Sequence, residues 1–239
     1  MDRKGFVRKS WFSYCCIFAL LLLCAVFFSH AVTTVSEYAP EAPTKIVIDA
    51  GHGGEDGGAT SCTGVLESTI NLEIALRLED MLHLLGYDTV MIRTTDRAVY
   101  TTGDTIAQKK VSDLKERVRI VNETPKALLV SIHQNQFSDA RYSGAQVFYA
   151  DAGDSRELAS AMQSSLVSNL NPGSRRKEKK ASQVYLMNHI DCTGILIECG
   201  FLSNAEEEAK LRDTAYQKQI CCVVAVELQR FLNQAKTVV

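Results

Sequence analysis

An α/β domain on a largely parallel, twisted sheet with helices on both faces is predicted by three features of this 239-residue chain. Short apolar runs alternate with longer stretches of helical periodicity, the pattern of strand–helix–strand units. The run Gly194 to Ile197 is apolar at successive positions, as in a strand covered on both sides. Histidines and an acid stand where three of the runs stop, and open parallel sheets place their sites beyond those strand ends.

Taken in order, the chain opens with MDRKGFVRKS, which is rich in basic residues, and continues with the apolar stretch Trp11 to Phe28. That stretch is roughly eighteen residues long, the lower limit for a spanning helix. Residues 1–31 read either as a membrane anchor or as a secretory signal peptide, with Ser29 and Ala31 as the small residues before a cut. In both cases the basic flank predicts a cytosolic N-terminus and an exported chain beyond about residue 32. Residues 32–44 contain two of the four prolines and no apolar period, so they read as a linker. The domain itself is expected over residues 45–235.

Within the domain the first strand is IVIDA, ending at Ala50. A helix follows from about Ser68 to Leu85, with Ile70, Ile74, Leu78, Met81 and Leu85 on one face and Gly86 as its stop. TVMIR is the second strand, and the segment Asp96 to Asp113 reads as a long polar loop. DLKERVRIVNE is a helix through Leu114, Val118 and Val121. ALLVSIH and AQVFYA are strands, and Leu158, Met162, Leu166 and Leu170 mark another helix. QVYLM and GILIEC are read as the last apolar runs of strand type, before two closing helices, the second near Tyr216 to Leu232.

With 26 Lys and Arg against 28 Asp and Glu, the formal net charge of -2 gives no reason to expect a nucleic-acid partner. Eight cysteines divide into Cys15, Cys16 and Cys24 in the apolar segment and five in the exported part. An odd set without CxxC spacing argues for small buried thiols rather than a disulfide framework.

The stretch Ile46 to Ala59, IVIDAGHGGEDGGA, carries the chemistry first: a buried strand ends in glycines that surround His52. His133 ends ALLVSI, Glu198 ends GILI, and Glu67 stands where the first helix begins. Alone, each has an ordinary reading: a histidine after a strand is commonly structural, and an acid in a first helical turn suits the macrodipole. An acid closing a doubly covered strand is costly without a partner or a task. Two imidazoles and one carboxylate with a fourth position open form the ligand set of a catalytic zinc, so the combination carries the inference.

DAGHGGEDGGA, Glu67 before NLEIALRLEDML, RTTD at Arg93 to Asp96, SIHQN, SGAQVFY and IECGFLSN follow one another in this chain. In that order they resemble the motifs of the zinc-dependent N-acetylmuramoyl-L-alanine amidases, from about Lys45 to Phe231. Within that family DLKERVRIVN, SGAQVFY and YLM are most similar to the short spore-cortex and germination members. The resemblance implies a phosphorylase/hydrolase-like fold, one zinc ion per chain on His52, Glu67 and His133, and Glu198 as the catalytic general base. It implies that the enzyme removes stem peptides from peptidoglycan, in spore cortex as the first step toward muramic-δ-lactam. Asn135, Arg176 and Lys179 fall at positions where it implies substrate contacts. Ser68, Gln134 and DCTGILIE depart from the common family pattern without touching a ligand position. Read alone, Arg175 to Lys180 is a solvated basic face or a guide for an anionic glycan. The implied setting is outside the cytoplasm, in the space between the two forespore membranes, with membrane contact through the N-terminal segment and with an activating protein partner in some members. The alternatives are a peptidoglycan-binding or regulatory protein without turnover, or an amidase active only with such a partner. His30, His83 and His189 are assigned no role in the chemistry.

Overall fold

The computed structural model describes residues 44–237. The targeting segment expected over residues 1–31, and all but the last residue of the linker, lie outside the described residues. Among those described, no helix is long and apolar enough to cross a membrane.

Six strands form one mixed sheet in the order β2-β1-β3-β6-β4-β5. They are β1 (Lys45–Ala50), β2 (Thr89–Met91), β3 (Ala127–Asn135), β4 (Gln146–Tyr149), β5 (Lys179–Lys180) and β6 (Gly194–Phe201). The helices are α1 (Glu67–Leu84), α2 (Ile106–Glu123), α3 (Ser155–Leu170), α4 (Tyr185–His189), α5 (Ala205–Arg212) and α6 (Thr214–Thr237). All neighbouring strands run parallel except β4 and β6.

Successive residues of each central strand enter two different cores, which is why the strand sequences are apolar without alternation. Ile46, Ile48, Val130, Ile132, Ile195 and Ile197 pack with Ile74 and Leu78 of α1, Met162 and Leu166 of α3, and Val224 and Leu228 of α6. Val47, Leu129 and Leu196 point the other way, to Val121 of α2 and to Leu186 and Met187 of α4. Burying each large aliphatic side chain stabilises the fold by about 1.5–3 kcal/mol relative to exposure.

Two elements differ from the sequence reading. The polar loop is shorter than expected, because α2 already begins at Ile106. Thr105 accepts from the Gln108 amide and the Gln108 side chain returns the bond to the Thr105 backbone, a capping box that satisfies two otherwise orphaned donors. QVYLM is not a strand: Tyr185–His189 forms the short helix α4, whose Leu186 and Met187 close the second core. The sheet edge beside β4 is taken instead by Lys179–Lys180, inside the basic run.

The five described cysteines are all free thiols. Cys199 and Cys221 are buried as small apolar groups, whereas Cys62 and Cys222 are exposed.

Candidate metal and hydrolytic site

The parallel register determines which residues meet. His133 on β3 and Glu198 on β6 are direct Cα partners, and Gln146 at the start of β4 is the partner of Glu198 on its other side. In-register neighbours share a face of the sheet, so these side chains stand in one row at the carboxyl ends of β3 and β6. His52 reaches this end of the sheet from the turn after β1, and Glu67 from the first turn of α1.

Glu67 is the centre of the cluster. Its Oε1 accepts from His133 Nδ1 at 2.9 Å, from the Gln134 amide at 3.1 Å and from Asn71 Nδ2 at 3.3 Å. Its Oε2 accepts from the Ala59 amide at 3.0 Å and lies 3.4 Å from His52 Nε2. Burial alone would push this carboxyl up, but the two imidazoles beside it hold it far below the usual carboxylate range. One ligand atom each from His52, Glu67 and His133 can be chosen so that all lie within 4.8 Å of one another.

The glycines make room for this approach. A Cβ at Gly51 would sit 2.2 Å from the His133 ring, and one at Gly58 would sit 2.6 Å from Glu67 Oε2 and 2.7 Å from His52 Cδ2. His52 itself has φ 60, a left-handed conformation that costs a non-glycine residue about 1–3 kcal/mol unless its surroundings enforce it. Its Nδ1 is bonded to Asp56 Oδ2 at 3.0 Å, which fixes the ring and leaves Nε2 facing Glu67. Burial lowers the His52 pKa, yet the carboxylates of Glu67 and Asp56 outweigh it and leave a net rise.

Glu198 is of a different kind. Its Oε2 is buried and has no hydrogen-bond partner among the described residues. Burial pushes its pKa up to about 7, with the His133 imidazole opposing and the Glu67 carboxylate adding to the rise. A carboxyl with that value exchanges a proton readily near neutral pH.

The remaining sequence-predicted residues are more dispersed. Asn135 ends β3 beside a register shift, and its carbonyl accepts from the Leu202 amide. Arg176 Nε donates to the Ser143 carbonyl at 3.0 Å, and its guanidinium lies 4.9 Å from the centre of the Phe201 ring. Lys179 is exposed on β5. Arg176 and Lys179 line an open groove of about 470 Å³ with Tyr142 and Gln146, the strand partner of Glu198. His83 bonds Thr89 Oγ1 and His189 stacks on Tyr185, both away from the cluster.

Sequence reading missed Asp56, Asn71 and the Gln134 amide as the groups that fix Glu67 and His52. Only Asp56 carried a legible signal, as an acid four residues after a histidine in a glycine-rich turn. Two nitrogens and a carboxylate oxygen with an open side suit a divalent metal of borderline softness, and a proton-exchanging acid stands next to them. Such a centre can polarise a carbonyl and deliver water to it, which is hydrolytic chemistry.

Comparison with known proteins agrees with this class. The N-acetylmuramoyl-L-alanine amidase family model matches residues 46–229. The germination-specific N-acetylmuramoyl-L-alanine amidase of Bacillus subtilis (strain 168) is 32% identical over 230 residues, 95% of this chain and 96% of that protein. The structure of the CwlD amidase from Clostridioides difficile in complex with the GerS lipoprotein superposes with a TM-score of 0.76 at 34% identity, covering 80% of this chain and 99% of that one. An N-acetylmuramoyl-L-alanine amidase from Clostridium difficile 630 gives a TM-score of 0.70 at 29% identity, covering 81% and 98%. The chain belongs to the N-acetylmuramoyl-L-alanine amidase family and is a peptidoglycan amide hydrolase.

Proposed function

We propose that this protein is a zinc-dependent amidase that cleaves stem peptides from muramic acid in spore cortex, with His52, Glu67 and His133 as zinc ligands and Glu198 as general base. The observation that supports the site assignment most is the buried, unpartnered Oε2 of Glu198 in register with His133. A zinc ion held by the three ligands would supply a Lewis acid and a water acidic enough to ionise near neutral pH. Glu198 takes a proton from the attacking water and returns one to the amine of L-alanine as the amide bond breaks. Asp56 keeps the His52 ring oriented, and the Glu67 hydrogen bonds hold its carboxylate ionised. Arg176 and Lys179 contact the glycan-peptide along the groove they line with Gln146, and Asn135 contacts it from the end of β3.

The cortex assignment draws on the germination-specific name of the Bacillus subtilis relative. Removal of the peptide leaves a free muramic carboxyl, the group required for closure to muramic-δ-lactam after deacetylation. Cortex from a strain lacking this gene should contain no lactam, and a normal lactam content would overturn the assignment. Metal analysis of the purified protein should give one zinc per chain, lost in His133→Ala; full zinc in that variant would remove His133 from the ligand set.

The Clostridioides difficile relative was solved with a lipoprotein, which supports a second reading in which this amidase also needs a protein activator. Residues 1–31 would place it at the membrane as signal or anchor, and residues 32–44 would tether the catalytic domain of residues 45–235 outside the cytoplasm, in the space between the two forespore membranes.

A further inference from the structure

Three consecutive carbonyls, from the last residue of β1 into the turn that follows, are all held by buried arginines. Ala50 O accepts from Arg93 Nε at 2.8 Å and from Arg117 Nη1 at 3.0 Å. Gly51 O accepts from Arg93 Nη2 at 2.9 Å and from Asn71 Nδ2 at 3.1 Å. His52 O accepts from Arg117 Nη2 at 2.7 Å. Arg93 Nη2 also reaches Ser68 O at 2.9 Å, so one guanidinium ties the turn carrying His52 to the helix start carrying Glu67.

Arg117 comes from α2 and is 2% exposed. Its charge is matched by Asp49, bonded through Nη1, and by Asp113, bonded to Nε at 2.7 Å. Asp49 in turn accepts from Ser131 Oγ at 2.6 Å, and Asp113 accepts from the Val99 amide at 2.7 Å. A planar guanidinium spans these four acceptors at once, which a single ammonium cannot do.

We infer that Arg117 is a positioning residue for the metal site: by gripping the carbonyls of Ala50 and His52 against Asp49, it enforces the left-handed turn at His52 and aims that imidazole at Glu67. Arg93 completes the clamp from the other side of the turn. The strained φ at His52 persists only where neighbouring groups over-determine it, and these bonds are the groups that do so. The inference rests on the metal reading of the site, which zinc binding by the wild-type protein and its loss in His133→Ala test separately.

Arg117→Lys keeps the charge and removes the fork, so its effect reports positioning rather than electrostatics. Zinc affinity, measured by competition with a chromogenic chelator on the full chain, should fall about 10- to 100-fold, the range for groups that orient metal ligands. The thermal midpoint of the zinc-free protein should fall as well, and Leu228→Ala, a core truncation in α6 that removes no bond to the turn, supplies the control. Leu228→Ala should lose thermal stability with zinc affinity within twofold of wild type. If Arg117→Lys does not fold, Asp113→Asn loosens Arg117 through its Nε bond alone and should still weaken zinc binding several-fold. Zinc affinity within twofold of wild type in every Arg117 or Asp113 variant that folds would overturn the inference and leave the clamp a purely structural network.

Discussion

The ligand corner and the basic edge are parts of the same domain and are built in opposite ways. At the corner, Glu67 accepts four hydrogen bonds, Ala50 to His52 have every carbonyl held, and Arg117 is paired with both Asp49 and Asp113. At the edge formed by β4 and β5, Lys179 and Lys180 are exposed and Lys180 pairs with Asp151, itself exposed. The contrast teaches where accuracy is required. Ligand atoms must be held before a metal arrives, whereas an extended glycan-peptide can be received by side chains that adjust.

If that division is right, variants at the corner should act on turnover and metal, and variants at the edge on substrate affinity. The largest expected effect is on turnover in Glu198→Gln, a loss of about 10²- to 10⁴-fold with zinc content unchanged. Loss of zinc in this variant would place Glu198 among the ligands instead. Next comes Asp56→Asn, which weakens the bond that orients His52; chelator competition should show zinc affinity reduced about tenfold or more. An unchanged affinity would show that Glu67 alone orients the ring.

Gly58→Ala tests the steric side of the corner. Its φ of +69 disfavours any side chain, and the added methyl would meet Glu67 Oε2 and the His52 ring. Destabilisation of about 1–3 kcal/mol is expected from denaturant unfolding, and a neutral result would mean that the turn relaxes freely. The smallest effect belongs to the edge: Lys179→Ala should raise KM about two- to fivefold with kcat unchanged, and added salt should erase the difference. A fall in kcat instead would tie β5 to the chemistry and break the comparison.

Much of this division can be read from the sequence because the two signals are local. Apolar runs of strand length ending in His or Glu placed His52, His133 and Glu198 at one end of a sheet, and the first-turn acid Glu67 joined them. The helices α1, α3 and α6 followed from three- and four-residue spacing. The start of α2 was also legible in principle, since Thr105 and Gln108 spell a capping box that polar composition concealed. The reversed direction of β4 was not, because QVFY has the same apolar character in either orientation. Nor was the role of QVYLM, since a five-residue run too short to show a period suits a strand and a helical turn alike. The arginine clamp depends on contacts between residues 42 to 68 positions apart, and such pairings leave no trace in local periodicity.

The central claim is that the Glu198 carboxyl, half-buried beside three metal ligands, moves the proton in amide cleavage. It is tested most directly by incubating purified peptidoglycan with the zinc-loaded protein and with Glu198→Gln, and identifying released peptides by mass spectrometry. The account predicts stem peptides with a free L-alanine amine from the wild-type protein, none after chelation, and almost none from Glu198→Gln that still holds zinc. Release by zinc-loaded Glu198→Gln at the wild-type rate would contradict it.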